Sequence, residues 1–190
     1  PIDRGLVTRM TACLAHRGPD AQGLHLWPGA AIGHRRLSII DLDPRSHQPF
    51  TIGNTTLVFN GEIYNYLELR EQLTRDHGAK FATDGDTEAI VAAYHYWGAE
   101  SVGRLRGMFA FVIWDRFEQR AFGARDPYGI KPLHFLTTND GVYFASEKKA
   151  LLPFAPAAGQ GDAGIDPAGL SHYLTLQYVP EPDTLTKGIS

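Results

Sequence analysis

Five residues of this chain have the types and the order to bind a small amino acid and polarise it. Arg36, in GHRRLSIID, lies in apolar surroundings, where a guanidinium can grip a carboxylate in a bidentate fork. Glu62 and Asp86 are two carboxylates able to hold an ammonium between them. Asn60 and Gly61 follow the apolar run Leu57-Val58-Phe59 and offer a side-chain amide beside a backbone N–H, a pair suited to a developing oxyanion. One arginine and two acids make a receptor for an α-amino acid, with Asn60 and Gly61 facing the reacting carbonyl. Each residue also has a purely structural reading. Arg36 can be a surface strand residue, Asn60-Gly61 a tight hairpin turn, and Asp86 a helix cap favoured by the helix dipole. Against the turn, the chain leads within a few residues to a helix cap at Asn65, which leaves little room for a returning strand.

The elements that must position these residues follow from spacing. Residues 3–15 read as a helix, with Leu6, Met10, Cys13 and Leu14 on one face, stopped by Gly18-Pro19. Residues 23–27 and 30–40 alternate or run apolar, as strands do, and 41–49 form a loop. Residues 55–60 make a strand, so that Asn60-Gly61-Glu62 closes it. Asn65 with Glu68 three positions on is close to a capping box, opening a helix lined by Tyr66, Leu69 and Leu73 that ends near Gly78. A second helix spans 86–97. Residues 108–114, MFAFVIW, form a buried strand, and 120–125 its return; ARDPYGIKPL is a loop shaped by Gly129 and two prolines. Short strands at 133–137 and 141–145 join through Asn139-Asp140-Gly141, and a short helix covers 147–152. Residues 155–164 are linker-like, and Pro167 opens a last helix. Strands grouped as hairpins with helices mainly early predict an α+β layered domain with antiparallel sheets.

Composition narrows the function classes. With 190 residues, 43% hydrophobic and 21% charged, the chain suits one soluble domain and a fragment of a second. A net charge of -3 without a Lys/Arg cluster disfavours nucleic acid as a partner. No apolar stretch approaches a membrane span. The single cysteine, Cys13, fits a reducing, cytoplasmic compartment and reads as a small buried core residue. The eight histidines show no metal-ligand spacing, so no metal site is expected. Ser38 lacks the flanking glycines of a hydrolase elbow, TDGDTE lacks the twelve-residue calcium pattern, and no phosphate loop occurs.

Seven motifs in order carry a resemblance: HRGPD (16–20), GHRRLSIIDL (33–42), FNGEIYN (59–65), GDTE (85–88), LRGMFAFVIWD (105–115), ARDPYGIKPL (124–133) and ASEKKAL (145–151). Together they resemble the class II glutamine amidotransferase, or glutaminase, domain of the asparagine synthetases. The resemblance implies an N-terminal-nucleophile hydrolase fold, an αββα sandwich of two antiparallel sheets, here without its first strand. It implies a glutaminase domain over 1–155, a linker over 156–164 and the opening of a synthetase domain over 165–190. By position, Arg36 matches the binder of the glutamine carboxylate, Asn60 and Gly61 the oxyanion hole, and Glu62 and Asp86 the contacts of the α-amino group; the backbone of Leu37 to Ile39 lines the same pocket. In the family an N-terminal cysteine attacks the carboxamide with its own α-amine as base, and ammonia passes to a synthetase site that uses ATP and Mg. The expected partners are glutamine and the chain's own synthetase domain; family members are often homodimers. No cofactor is expected in the glutaminase domain itself.

The chain departs from the pattern by starting at Pro1, and Cys13 cannot replace the nucleophile, because its amine is in a peptide bond. As given, the chain is expected to hold a glutamine pocket without glutaminase activity. Three rivals stand beside this reading: a tautomerase using an N-terminal proline, disfavoured by the helix after Pro1; a non-catalytic amino-acid-binding domain; and a sibling amidotransferase with another acceptor.

Overall fold

The computed structural model describes residues 2–37, 44–154 and 164–190. Ser38 and Ile39, expected to line the pocket, and residues 156–163 of the linker expected over 156–164 lie outside the described residues. The chain divides into two compact units, Pro1–Lys131 and Pro132–Ser190.

The first unit begins with α1 (Arg4–Ala12), capped by the Asp3 carboxylate, which accepts the Leu6 N–H at 3.2 Å. The helix stops three residues short of expectation. Cys13 takes the C-cap and a 3-10 turn (Ala15–Arg17) follows. Cys13 is therefore half-buried at a helix end rather than part of a core, and its Sγ donates to the Met10 carbonyl at 3.1 Å. β1 (Ala21–Trp27) and β2 (Ala30–Arg36) form an antiparallel hairpin with Ala21 opposite Arg36. A Cβ at Gly33 would strike the Thr11 hydroxyl, so this glycine lets α1 lie close on β2.

A four-stranded antiparallel sheet runs in the order β3 (Phe50–Ile52), β4 (Thr55–Ile63), β5 (Gly107–Asp115), β6 (Arg120–Arg125). β3, left unassigned by the sequence pattern, is three residues turned back on β4 through Gly53-Asn54. β4 runs to Ile63, beyond the expected end at residue 60, and this removes the turn reading of Asn60-Gly61. Asn60 lies opposite Ala110 and Gly61 opposite Phe109, both inside a continuous ladder.

Side chains alternate across this sheet. Leu57, Phe59, Ile63, Phe109, Phe111 and Ile113 pack on one face against Leu69 of α2 (Tyr66–His77) and Ile90, Val91 and Tyr94 of α3 (Asp86–Trp97). Each such side chain contributes roughly 1.5–3 kcal/mol by burial. Val58, Asn60 and Glu62 share the opposite face. Asn65 occupies the N-cap position of α2, but its side chain does not cap the helix. Its amide instead bridges to the segment before β5, donating to the Arg104 carbonyl at 3.0 Å and accepting the Arg106 N–H at 2.9 Å. Glu68 pairs with Arg106, so the expected capping box is absent.

In the second unit β7 (His134–Thr138) and β8 (Gly141–Ala145) form a hairpin, and Ile189 bridges to Leu136. The helix expected over 147–152 is two 3-10 turns, Lys148–Ala150 and Leu152–Phe154. Pro153 disfavours helical geometry at the residue before it. α4 (Pro167–Leu176) starts at the expected proline, with the Asp166 carboxylate accepting from Ala168 and Gly169 at 2.9 Å. Among the described residues every strand pair is antiparallel, in keeping with the α+β reading. No helix among the described residues is long and apolar enough to cross a membrane.

Candidate active site

The site is an opening in the backbone hydrogen bonding of β4. In an antiparallel strand, successive residues direct their N–H and C=O groups to opposite sides. Phe59, Gly61 and Ile63 direct theirs away from β5. The partner of Gly61 shows this: Phe109 donates its N–H to Asp126 Oδ2 at 3.2 Å, and its carbonyl accepts the Asp126 N–H at 2.7 Å. β3 ends with Phe50 opposite Leu57, so beyond that point it does not cover this edge.

Side chains cover it instead. The Phe59 N–H donates to Gln48 Oε1 at 2.6 Å, and its carbonyl meets His34 Nε2 at 3.2 Å. The Ile63 N–H donates to Asp86 Oδ2 at 3.0 Å. Between them, the Gly61 N–H has no hydrogen-bond partner among the described residues. Beside it, Asn60 Nδ2 is buried without a partner. Buried donors are nearly always satisfied, so the open Asn60 Nδ2 with the Gly61 N–H beside it marks a place shaped for an acceptor that no described residue supplies. Gly61 is required here: its φ is +149°, and a Cβ would run into the Met108 carbonyl and lie 2.7 Å from the Phe109 Cα.

Asp86 is the first residue of α3 and is 5% exposed. Burial pushes its carboxyl pKa up; hydrogen bonds from the N–H groups of Ile63, Asp86 itself and Thr87 oppose this, and the nearby Glu62 charge adds to the rise. Two acids that repel in a half-closed place are relieved by a cation, the complement an ammonium provides. The loop before Asp86 is fixed by Arg70, whose guanidinium donates to the carbonyls of Gly85 (3.1 Å) and Thr83 (2.6 Å) and lies 4.2 Å over the Phe81 ring. Glu88 holds the same loop by accepting from the Ala82 and Thr83 N–H groups and the Thr83 hydroxyl.

Arg36 is the last residue of β2 and is 7% exposed, which excludes the surface-residue reading. Its carbonyl accepts the Asp20 N–H at 3.0 Å. The structure groups Asn60, Gly61, Glu62 and Asp86 around one strand end. Arg36 is connected to that group through His34, two residues earlier on the same face of β2. The His34 pKa is lowered to about 4: burial is the main cause, the hydrogen bond to Phe59 opposes it, and the Arg36 charge lowers it further. The imidazole is therefore neutral near pH 7.

Sequence reading missed His34, Gln48 and Asp126. Asp126 accepts four backbone N–H groups, from Phe109, Tyr128, Ile130 and Lys131. Burial alone would raise its pKa, but these bonds hold it below the usual carboxylate value. An aspartate ahead of Pro-Tyr-Gly was the available signal, since such side chains bond the backbone that follows them. Among the described residues no group of three or more His, Cys, Asp or Glu side chains could hold a metal ion.

Comparison with known proteins adds to this geometry. Residues 2–190 match the family model of the glutamine amidotransferase domain. A Mycobacterium bovis protein, provisionally named a glutamine-hydrolysing asparagine synthetase, is 52% identical over 96% of this chain and 29% of its own length. Glutamine-hydrolysing asparagine synthetase 1 of Bacillus subtilis is 47% identical over 95% of this chain and 28% of its own. Among solved structures, the glutamine phosphoribosylpyrophosphate amidotransferase of B. subtilis, complexed with ADP and GMP, aligns with a TM-score of 0.54 and 30% identity over 64% of this chain and 28% of that one. The chain thus spans under a third of the length of these relatives.

Proposed function

The chain belongs to the glutamine amidotransferase domain family, and from that premise we propose that it binds glutamine as the glutaminase part of an asparagine synthetase. The observation that carries this reading is the adjacent pair of open donors, Asn60 Nδ2 and the Gly61 N–H. A tetrahedral oxyanion formed from a carboxamide would find two donors there in a partly dehydrated setting, where each is worth most. Arg36 takes the substrate carboxylate, and Glu62 with Asp86 takes the ammonium, which fixes the carboxamide against the open donors.

The reaction needs a cysteine whose α-amino group is free to act as base. Its sulfur bonds to the carboxamide carbon, the C–N bond breaks, and ammonia leaves with the proton the amine has taken from the thiol. Water then hydrolyses the thioester, giving glutamate and restoring the thiol. Cys13 does not fill this role, because its nitrogen is a peptide N–H donating to the Arg9 carbonyl at 3.0 Å. We assign ATP and magnesium, with aspartate as acceptor, to a synthetase part to which residues 165–190 lead, and no step of glutamine hydrolysis runs through them.

The test is Arg36→Ala in the full-length gene product. The KM for glutamine should rise strongly, while amidation supplied with free ammonia survives. Equal loss of both activities would reject the carboxylate role of Arg36. Absence of glutamate release from glutamine in the wild type would reject the glutaminase reading itself.

A further inference from the structure

We infer that His34 is a positioning residue for the oxyanion hole, holding the backbone of Phe59 so that Asn60 and Gly61 present their donors at a fixed place. The inference rests on the glutaminase reading and deepens it. Phe59 immediately precedes the two open donors. On this side of β4 the neighbouring strand β3 has ended, with Phe50 opposite Leu57. β5 supports this stretch of β4 from one side only, and a shift of the order of 1 Å at a catalytic group is costly. Phe59 is instead gripped at both backbone groups by side chains from two separate segments, Gln48 at its N–H (2.6 Å) and His34 at its carbonyl (3.2 Å).

Three features favour a functional role for His34 over simple space-filling. The Phe59 carbonyl requires Nε2 to carry the proton, which fixes the tautomer. Nδ1 is then a buried acceptor without a partner, a cost to stability that an apolar side chain would avoid. His34 also lies on β2 two residues from Arg36, so the bond to Phe59 sets the distance between the carboxylate clamp and the hole. The lowered His34 pKa keeps the ring in the neutral form that this geometry uses.

The experiment compares His34→Leu, His34→Asn and His34→Gln in the full-length protein. Leucine removes the donor, asparagine is too short to reach the Phe59 carbonyl, and glutamine reaches to about the distance of Nε2. We expect kcat for glutamine hydrolysis to fall about tenfold to hundredfold in H34L and H34N, with KM within about threefold, and to recover in H34Q. The Gly61 amide signal in an NMR spectrum of the 190-residue chain should shift or broaden in H34L and H34N and return in H34Q; this readout needs no catalysis. Wild-type kcat in H34L, a loss confined to KM, or equal kcat and equal Gly61 signals in H34N and H34Q would each overturn the inference. A wild type that releases no glutamate while the Gly61 signal follows the expected order would reject the glutaminase reading and keep the positioning role.

Discussion

Asp86 reaches across 23 positions of sequence to accept the Ile63 N–H at 3.0 Å. The acid at the start of α3 and the strand carrying Asn60 and Gly61 are thereby one mechanical unit. The carboxylate proposed to hold a substrate amine also fixes the far end of the edge on which the open donors lie.

Asp86→Asn separates these two duties. The amide oxygen still accepts from Ile63, while the charge is lost. Because burial already disfavours that charge, thermal stability should hold or rise slightly. The KM for glutamine should rise tenfold or more, about 1.4 kcal/mol of lost binding, with little change in kcat. A large drop in melting temperature without a KM change would show a purely structural acid.

Asn60→Leu removes a buried donor that has no partner. Stability in urea should be unchanged or higher, since an unsatisfied polar group is lost. Glutamine hydrolysis should fall about 100- to 1000-fold in kcat. Retained activity in a stable variant would take Asn60 out of the oxyanion hole.

Gly61→Ala should damage both properties. At φ +149° and against the Met108 carbonyl, a methyl group must displace β5 or distort β4. Strain of about 1–3 kcal/mol is expected, lowering the melting temperature by several degrees, together with loss of glutaminase activity. Normal melting would mean the strand end relaxes more freely than its register suggests.

His34 should leave a signature in acid. Its folded pKa of about 4 lies below the unfolded 6.5, so between these values the unfolded chain binds a proton that the folded chain does not. Stability is therefore lost as pH falls from 6.5 to 4, by up to about 3 kcal/mol. Urea unfolding of wild type and H34Q at pH 7, 5.5 and 4 isolates this, since glutamine does not titrate. Parallel curves for the two proteins would contradict the neutral imidazole.

Asp126→Asn is expected to be the most destabilising of these changes. A single amide oxygen cannot replace a carboxylate that accepts four N–H groups, and about 3 kcal/mol should be lost at neutral pH. Because the Asp126 pKa is depressed below its ordinary 3.8, the wild-type advantage is fully present well above that value and shrinks as pH falls from there through the lower folded pKa. Chemical denaturation at pH 7 and pH 3 would show it.

What the sequence revealed and what it hid divide along contact range. The helices around Leu69 and Ile90, the strand MFAFVIW and the helix start at Pro167 follow from local periodicity and turn chemistry, and they appear where expected. Asn60-Gly61 misled as a strand end because its local signal is that of a turn; pairing with Ala110 and Phe109, some fifty residues away, keeps it in the strand. Asn65 lost its expected cap bond to Arg104 and Arg106 for the same reason. The burial of Arg36, the Asp86–Ile63 bond and the grip of Gln48 and His34 on Phe59 depend on segments that meet only after folding. Composition and motif order can suggest that such a site exists, but the identity of its supporting side chains comes from tertiary packing.

An open strand edge ordinarily invites another strand to pair with it, the usual route to edge-to-edge aggregation. Along β4 a visiting strand would need a row of donors and acceptors and would meet Gln48 and His34 already holding the N–H and carbonyl of Phe59, and Asp86 holding the N–H of Ile63. Between those held groups, the stretch left open at Gly61 is short, suited to a small molecule and not to the long row of pairs that a polypeptide strand needs. The side chains that frame the site for a small molecule thus also act as gatekeepers against self-association.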